Sequence, residues 1–115
     1  MRNRRFEPRL MCADLIEVRW NDASGRPESC VANLEDISAS GVCLQIEVDI
    51  PLNTKITMSG PKGDYVGQVR YCVYREIGFF VGIHFDAGSK WSRRHFKPMH
   101  LFDPQRLVPA NGPER

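Results

Sequence analysis

Residues 11–37 read MCADLIEVRWNDASGRPESCVANLEDI, and this stretch decides the fold class. From Met11 to Trp20, every second residue (Cys12, Asp14, Ile16, Val18, Trp20) falls on one face, and Ala13, Leu15, Glu17 and Arg19 fall on the other. A repeat of two is the period of extended backbone, whose successive side chains point to opposite faces; a helix repeats every ~3.6 residues. The run Asn21-Asp22-Ala23-Ser24-Gly25-Arg26-Pro27 is dense in turn formers, and Ser29 to Ile37 alternates again. Two alternating runs around such a turn predict a β-hairpin.

Four more strands follow by the same reading. Gly41 to Val48 puts Val42, Leu44, Ile46 and Val48 on one side and ends before Pro51. Thr54 to Ser59 and Tyr65 to Tyr74 flank a loop, Gly60-Pro61-Lys62-Gly63-Asp64, and form a second hairpin. Ile77 to Phe85 places Ile77, Phe79, Val81, Ile83 and Phe85 on one face, with Gly78 and Gly82 on the other, where a neighbour can approach the backbone closely. Six short strands separated by turns predict a mainly β protein, a small antiparallel β-barrel that closes to hide its edges. Beyond Asp86 the period changes. Ser89 to Lys97 is expected as a short C-terminal helix with Ser89 as N-cap, stopped by Pro98, and Asp103-Pro104 is placed to begin another helical turn. Trp91, Phe96, Leu101 and Phe102 are expected to face the core. The expected organisation is a flexible Arg-rich segment (1–9), one barrel domain with its C-terminal helical segment (10–108) and a frayed tail (109–115).

With 115 residues the chain suits one core, and 42% hydrophobic with 26% charged residues is an ordinary globular composition. The net charge of +2 is too even for a protein that coats DNA or a membrane through bulk charge. Arg2, Arg4, Arg5 and Arg9 lie in the first nine residues against Glu7 alone, so the positive bias sits at the N-terminus. Arg outnumbers Lys 12 to 4, and only Arg offers a planar fork of donors that can pair with a phosphate or a base edge and stack on a ring. No apolar run is long enough to span a bilayer, and a cytoplasmic location without membrane insertion is expected. Cys12, Cys30, Cys43 and Cys72 include no C-x-x-C pair, and His84, His95 and His100 share no ligand spacing, so no metal site is expected and the thiols are expected reduced.

Two motifs carry chemistry: Arg5-x-x-x-Arg9, and Asp36-Ile37-Ser38-Ala39-Ser40-Gly41 between the second and third strands. With Val81-Gly82-Ile83-His84-Phe85 they resemble the PilZ domain family, bacterial receptors for cyclic diguanylate (cyclic di-GMP), over Arg4 to about Asp86. The resemblance implies a six-stranded barrel with a C-terminal helix. It further implies that Arg5 and Arg9 clasp the ligand while Asp36, Ser38 and Gly41 contact it from the barrel. Arg4 doubles the first arginine, a form that in this family goes with two stacked ligands per domain.

The residue types suit that ligand. Two phosphates call for cations and guanine O6 and N7 call for planar donors, and Arg supplies both. An Asp36 carboxylate can accept from guanine N1–H and N2–H₂, Ser38 offers a small hydroxyl, and Gly41 lets the backbone turn or the ligand approach. Asp36 and Ser38 could equally build an Asx- or ST-turn with Gly41 at positive φ. No nucleophile–base pairing or phosphate-cradling glycine loop suggests an enzyme, and no cofactor is expected. The leading expectation is a non-enzymatic receptor in which a dianionic ligand orders the self-repelling N-terminal segment and presents a new surface to a downstream protein partner. One rival is a PilZ-like adaptor that binds protein and no nucleotide. Another is a barrel for single-stranded nucleic acid, disfavoured because the chain beyond residue 9 has no positive excess; no DNA or RNA partner is expected.

Overall fold

The structure, a computed structural model, describes residues 9–92, 94 and 96–98. Six strands follow in chain order: β1 (Leu10–Asn21), β2 (Pro27–Ser38), β3 (Gly41–Ile46), β4 (Lys55–Gly60), β5 (Gly63–Arg75) and β6 (Gly78–Phe85). They form a closed barrel in the order β1-β2-β3-β6-β5-β4, and every pairing is antiparallel. β1 closes the ring on β4 through only Val18↔Met58, Arg19↔Thr57 and Trp20↔Ile56.

The alternation seen in the sequence is the alternation of burial. Cys12, Ile16, Val18 and Trp20 point inward, and Val18, Ala32, Leu34, Ile37, Leu44, Val69 and Val81 are fully buried in one core. Burying each Leu, Ile or Val side chain stabilises the fold by about 1.5–3 kcal/mol, so the interior carries the barrel. All four cysteines are free and lie in strands, with Cys12 and Cys43 buried and Cys30 and Cys72 half-buried. Among the described residues, no helix is long and apolar enough to cross a membrane.

The structure corrects the expected element boundaries in four places. β1 and β2 each run 12 residues and β5 runs 13, so the strands are not all short. β3 stops at Ile46, and Val48, expected on one side with Val42, Leu44 and Ile46, is exposed where they are buried. The expected loop 60–64 shrinks to the two residues Pro61-Lys62, because Gly60 and Gly63 pair as the last rung of the β4–β5 ladder; Gly63 holds φ +146°, which a side chain would resist. Ile77, expected on one face with Phe79, Val81, Ile83 and Phe85, sits 65% exposed in the tight turn before Gly78.

Among the described residues of Ser89–Lys97 the expected helix does not form. Among the described residues the only helical element is a 3-10 turn, Ala87–Ser89. Ser89 closes that turn and caps nothing: its Oγ accepts from the Val66 N–H at 3.0 Å. The Trp91 N–H donates to the Ala39 carbonyl at 3.0 Å, and its indole Nε1–H donates to the Phe96 carbonyl at 2.6 Å. The Trp91 N–H, one of the backbone groups that would begin a helix, is therefore tied to the barrel. Trp91 is buried and Phe96 packs against the core, as expected; Leu101, Phe102, Asp103 and Pro104, the tail 109–115 and segment 1–8 lie outside the described residues.

Candidate functional site

Two bulges create an outer strip on the barrel wall. Leu34 pairs with Leu44 and Asp36 pairs with Cys43, leaving Glu35 as an extra residue. Leu34 and Ile37 are consequently both fully buried although three residues apart, and Asp36 is turned outward. In β5 the same happens at Arg70: Val69 pairs with Ile83, and Tyr71 with Gly82. Strict alternation would have put both Asp36 and Tyr71 in the core. Instead they stand on one cross-strand row, Met11↔Asp36↔Cys43↔Gly82↔Tyr71, running from β1 to β5.

Arg9, immediately before β1, closes the near end of this row. Its guanidinium donates to the Asp36 carboxylate at 2.5 Å across 27 residues of sequence. The Asp36 side chain is 27% exposed and that of Arg9 56%, so the pair lies at the surface. Burial pushes the Asp36 carboxyl above its ordinary value, Arg9 opposes that push, and the neighbouring Glu35 adds to it. At the far end the Tyr71 ring lies against Gly82, and burial first, then the neighbouring Cys43 thiol, pushes its hydroxyl up to about 12. Burial also raises the Cys43 thiol. Beyond Tyr71 the strip opens into a groove of about 810 Å³ lined by Val73, Ile77 and Phe80 among others, within the range of small-ligand sites.

The second motif divides between surface and interior. Ser38 is 1% exposed, with its Oγ directed at the Gly41 carbonyl at 3.4 Å. Ser38 and Gly41 pair across the two-residue turn Ala39-Ser40, whose carbonyls accept from Trp91 N–H and Phe85 N–H. A Cβ on Gly41 would come within 2.2 Å of the Ile83 carbonyl oxygen, so glycine is required there by the approach of β6; Gly41 is not at positive φ. Of the expected site residues, the structure thus brings Arg9 and Asp36 together, sets Ser38 and Gly41 behind them in the turn, and leaves Arg4 and Arg5 outside the described residues.

Sequence reasoning did not find Tyr71 and Cys43. It did single out the face carrying Gly82 for close approach, and the group that approaches Gly82 is the Tyr71 ring.

Another depression, about 960 Å³ at one end of the barrel, includes Arg19, Asp22, Glu28, Asp49 and Lys55 in its lining. Its cations are engaged, Arg19 with Asp64 and Lys55 with Asp86, and three carboxylates line it, so it is poorly suited to an anion. Among the described residues no three His, Cys, Asp or Glu side chains cluster as metal ligands. No family model matches the chain, and no curated protein matches it by sequence.

Proposed function

We propose that this protein is a non-enzymatic receptor for cyclic diguanylate, bound on the outer strip between the arginine segment and Asp36. The ion pair between Arg9 and Asp36 carries the reading: it joins the two motifs that the sequence resemblance to PilZ domains requires in one place, although 27 residues separate them. Without ligand the two groups satisfy each other. An exposed pair of this kind is worth only about 0–1 kcal/mol, so a ligand can replace it easily. Cyclic diguanylate offers each partner something stronger: guanine N1–H and N2–H₂ to the Asp36 carboxylate, and phosphate or guanine O6 and N7 to the Arg9 guanidinium.

Arg5 supplies the second clasp and Arg4 a third guanidinium, while Ser38 and Gly41 hold the turn that follows the strand from which Asp36 projects. The ligand neutralises the arginines of the first nine residues and fixes that segment over the strip. The resulting surface is what a downstream protein recognises.

Titration calorimetry with cyclic diguanylate, repeated in the presence of a single-stranded oligonucleotide, tests this. Saturable binding that the oligonucleotide does not compete, and that is weakened by Arg5→Ala and Arg9→Ala in folded protein, is expected. Binding unchanged in both variants removes the site, and no binding at all leaves the protein-adaptor reading in its place.

A further inference from the structure

We infer that Tyr71 is the platform on which a guanine base of the ligand stacks, and that Gly82 is the residue that positions its ring. This rests on the receptor reading above and adds to it two residues from neither motif. Tyr71 is 42% exposed, yet its ring is packed against the neighbouring strand. Tyr71 pairs with Gly82 on β6, and Gly82 pairs in turn with Cys43 on β3. A Cβ placed on Gly82 would lie 2.1 Å from Tyr71 Cε2, 2.5 Å from Cζ and 2.6 Å from Cδ2. The ring therefore lies against the bare backbone of Gly82, and any other residue there would lift it.

What surrounds the ring fits a purine. Between Tyr71 and Asp36 the row contains only Gly82 and Cys43, and Cys43 is 7% exposed, so both form floor and neither forms wall. Adjacent strands lie ~4.8 Å apart, so this floor is about 10 Å wide, the scale of a bicyclic base. A guanine laid on it stacks on the ring and presents its hydrogen-bonding edge to Asp36. A stack alone would accept any base, since every base has a π face; Asp36 supplies the choice. The ring's packing on Gly82 is also the known remedy for a glycine in a strand, so the test must separate ligand contact from support of the sheet.

Gly82→Ala does so because the obstructing atoms belong to a side chain free to swing into solvent. At Gly41 and Gly67 the obstruction is a backbone oxygen, at 2.2 and 2.4 Å. Cyclic diguanylate is titrated into the wild type, Tyr71→Phe, Tyr71→Ala, Gly82→Ala and the double alanine variant, each checked for a cooperative melt, with the Tyr71 ring resonances followed by NMR. Tyr71→Ala should weaken binding roughly tenfold to a hundredfold, and Tyr71→Phe should stay close to the wild type. Gly82→Ala should lose a comparable amount although Tyr71 is intact, and the double variant should be no weaker than Tyr71→Ala. In the wild type the ring resonances should move upfield on saturation, and in Gly82→Ala this shift should be lost. If Gly82→Ala does not fold, the Tyr71 variants and the wild-type resonances decide. Wild-type affinity in Tyr71→Ala overturns the platform and leaves the receptor reading standing. A wild type that binds no cyclic diguanylate overturns both.

Discussion

Asp36 and Gly41 lie five residues apart in one motif and do opposite work. Asp36 stands on the outer wall, ion-paired at the surface; Gly41 is wedged against the Ile83 carbonyl where β3 meets β6, with the buried Ser38 across the turn. The outer position contributes little to the fold and has polar groups to offer a ligand. The inner positions are buried, and the strand pairing depends on them. A short motif can therefore be kept for two reasons at once, and substitutions within it should separate stability from binding.

The largest separation is expected at Gly41. Gly41→Ala places a methyl group against backbone that neither strand can yield, at a cost of about 3 kcal/mol or more, seen as a melting temperature lower by roughly 10 °C or more. Any loss of ligand affinity in this variant should follow from unfolding and recover at lower temperature. An unchanged melting curve would mean that the β3–β6 approach is looser than described.

Arg9→Ala should behave in the reverse way. Loss of a charge-assisted contact costs about 1.5–3 kcal/mol of binding, roughly tenfold to a hundredfold in Kd, while loss of the exposed ion pair should shift stability by no more than about 1 kcal/mol. Calorimetry and a thermal melt on one preparation check both. A large drop in melting temperature with unaltered affinity would make Arg9 a structural residue and reverse the comparison.

A smaller and graded effect is expected from pH. The Asp36 carboxyl titrates above its ordinary 3.8 in the folded protein, chiefly because it is partly buried. A raised carboxyl favours the fold while protonated: that contribution is fully present below the unfolded value and is lost as pH rises through the folded one. Ligand binding has the other sign, because only the carboxylate accepts from guanine. Affinity should therefore fall as pH drops through the folded value, by at most about tenfold per pH unit, while the share of stability due to Asp36 rises. Asp36→Asn should abolish the pH dependence of binding in this range, and persistence of the slope in that variant would assign the titration elsewhere.

Most of the barrel was legible because its signal is local. Val18, Leu44 and Val81 announce an inner face by alternation alone, and the turns between strands are written in Gly, Pro, Asn and Asp. The strip was only half legible. The resemblance to PilZ domains put Arg9 and Asp36 in one place, but the extra residues at Glu35 and Arg70 exist only relative to a partner strand, and they decide which way Asp36 and Tyr71 face. Read without its bulge, Tyr71 continues the inward series Tyr65, Gly67, Val69 and looks like core. The expected helix at Ser89–Lys97 failed for a related reason: Ser89 and Trp91 have capping and anchoring chemistry, and the barrel takes up that chemistry through Val66 and Ala39.

The proposed division between an outer ligand-binding strip and an inner structural face is tested most directly by following backbone and side-chain NMR resonances of the wild type through a titration with cyclic diguanylate. The expected result is saturable change confined to Arg9, Asp36, Cys43, Tyr71, Gly82 and the arginines ahead of β1, with Leu34, Leu44 and Val69 in the core unmoved. Changes centred instead on the depression around Asp22, Glu28 and Asp49, or none at all at saturating ligand, would contradict it.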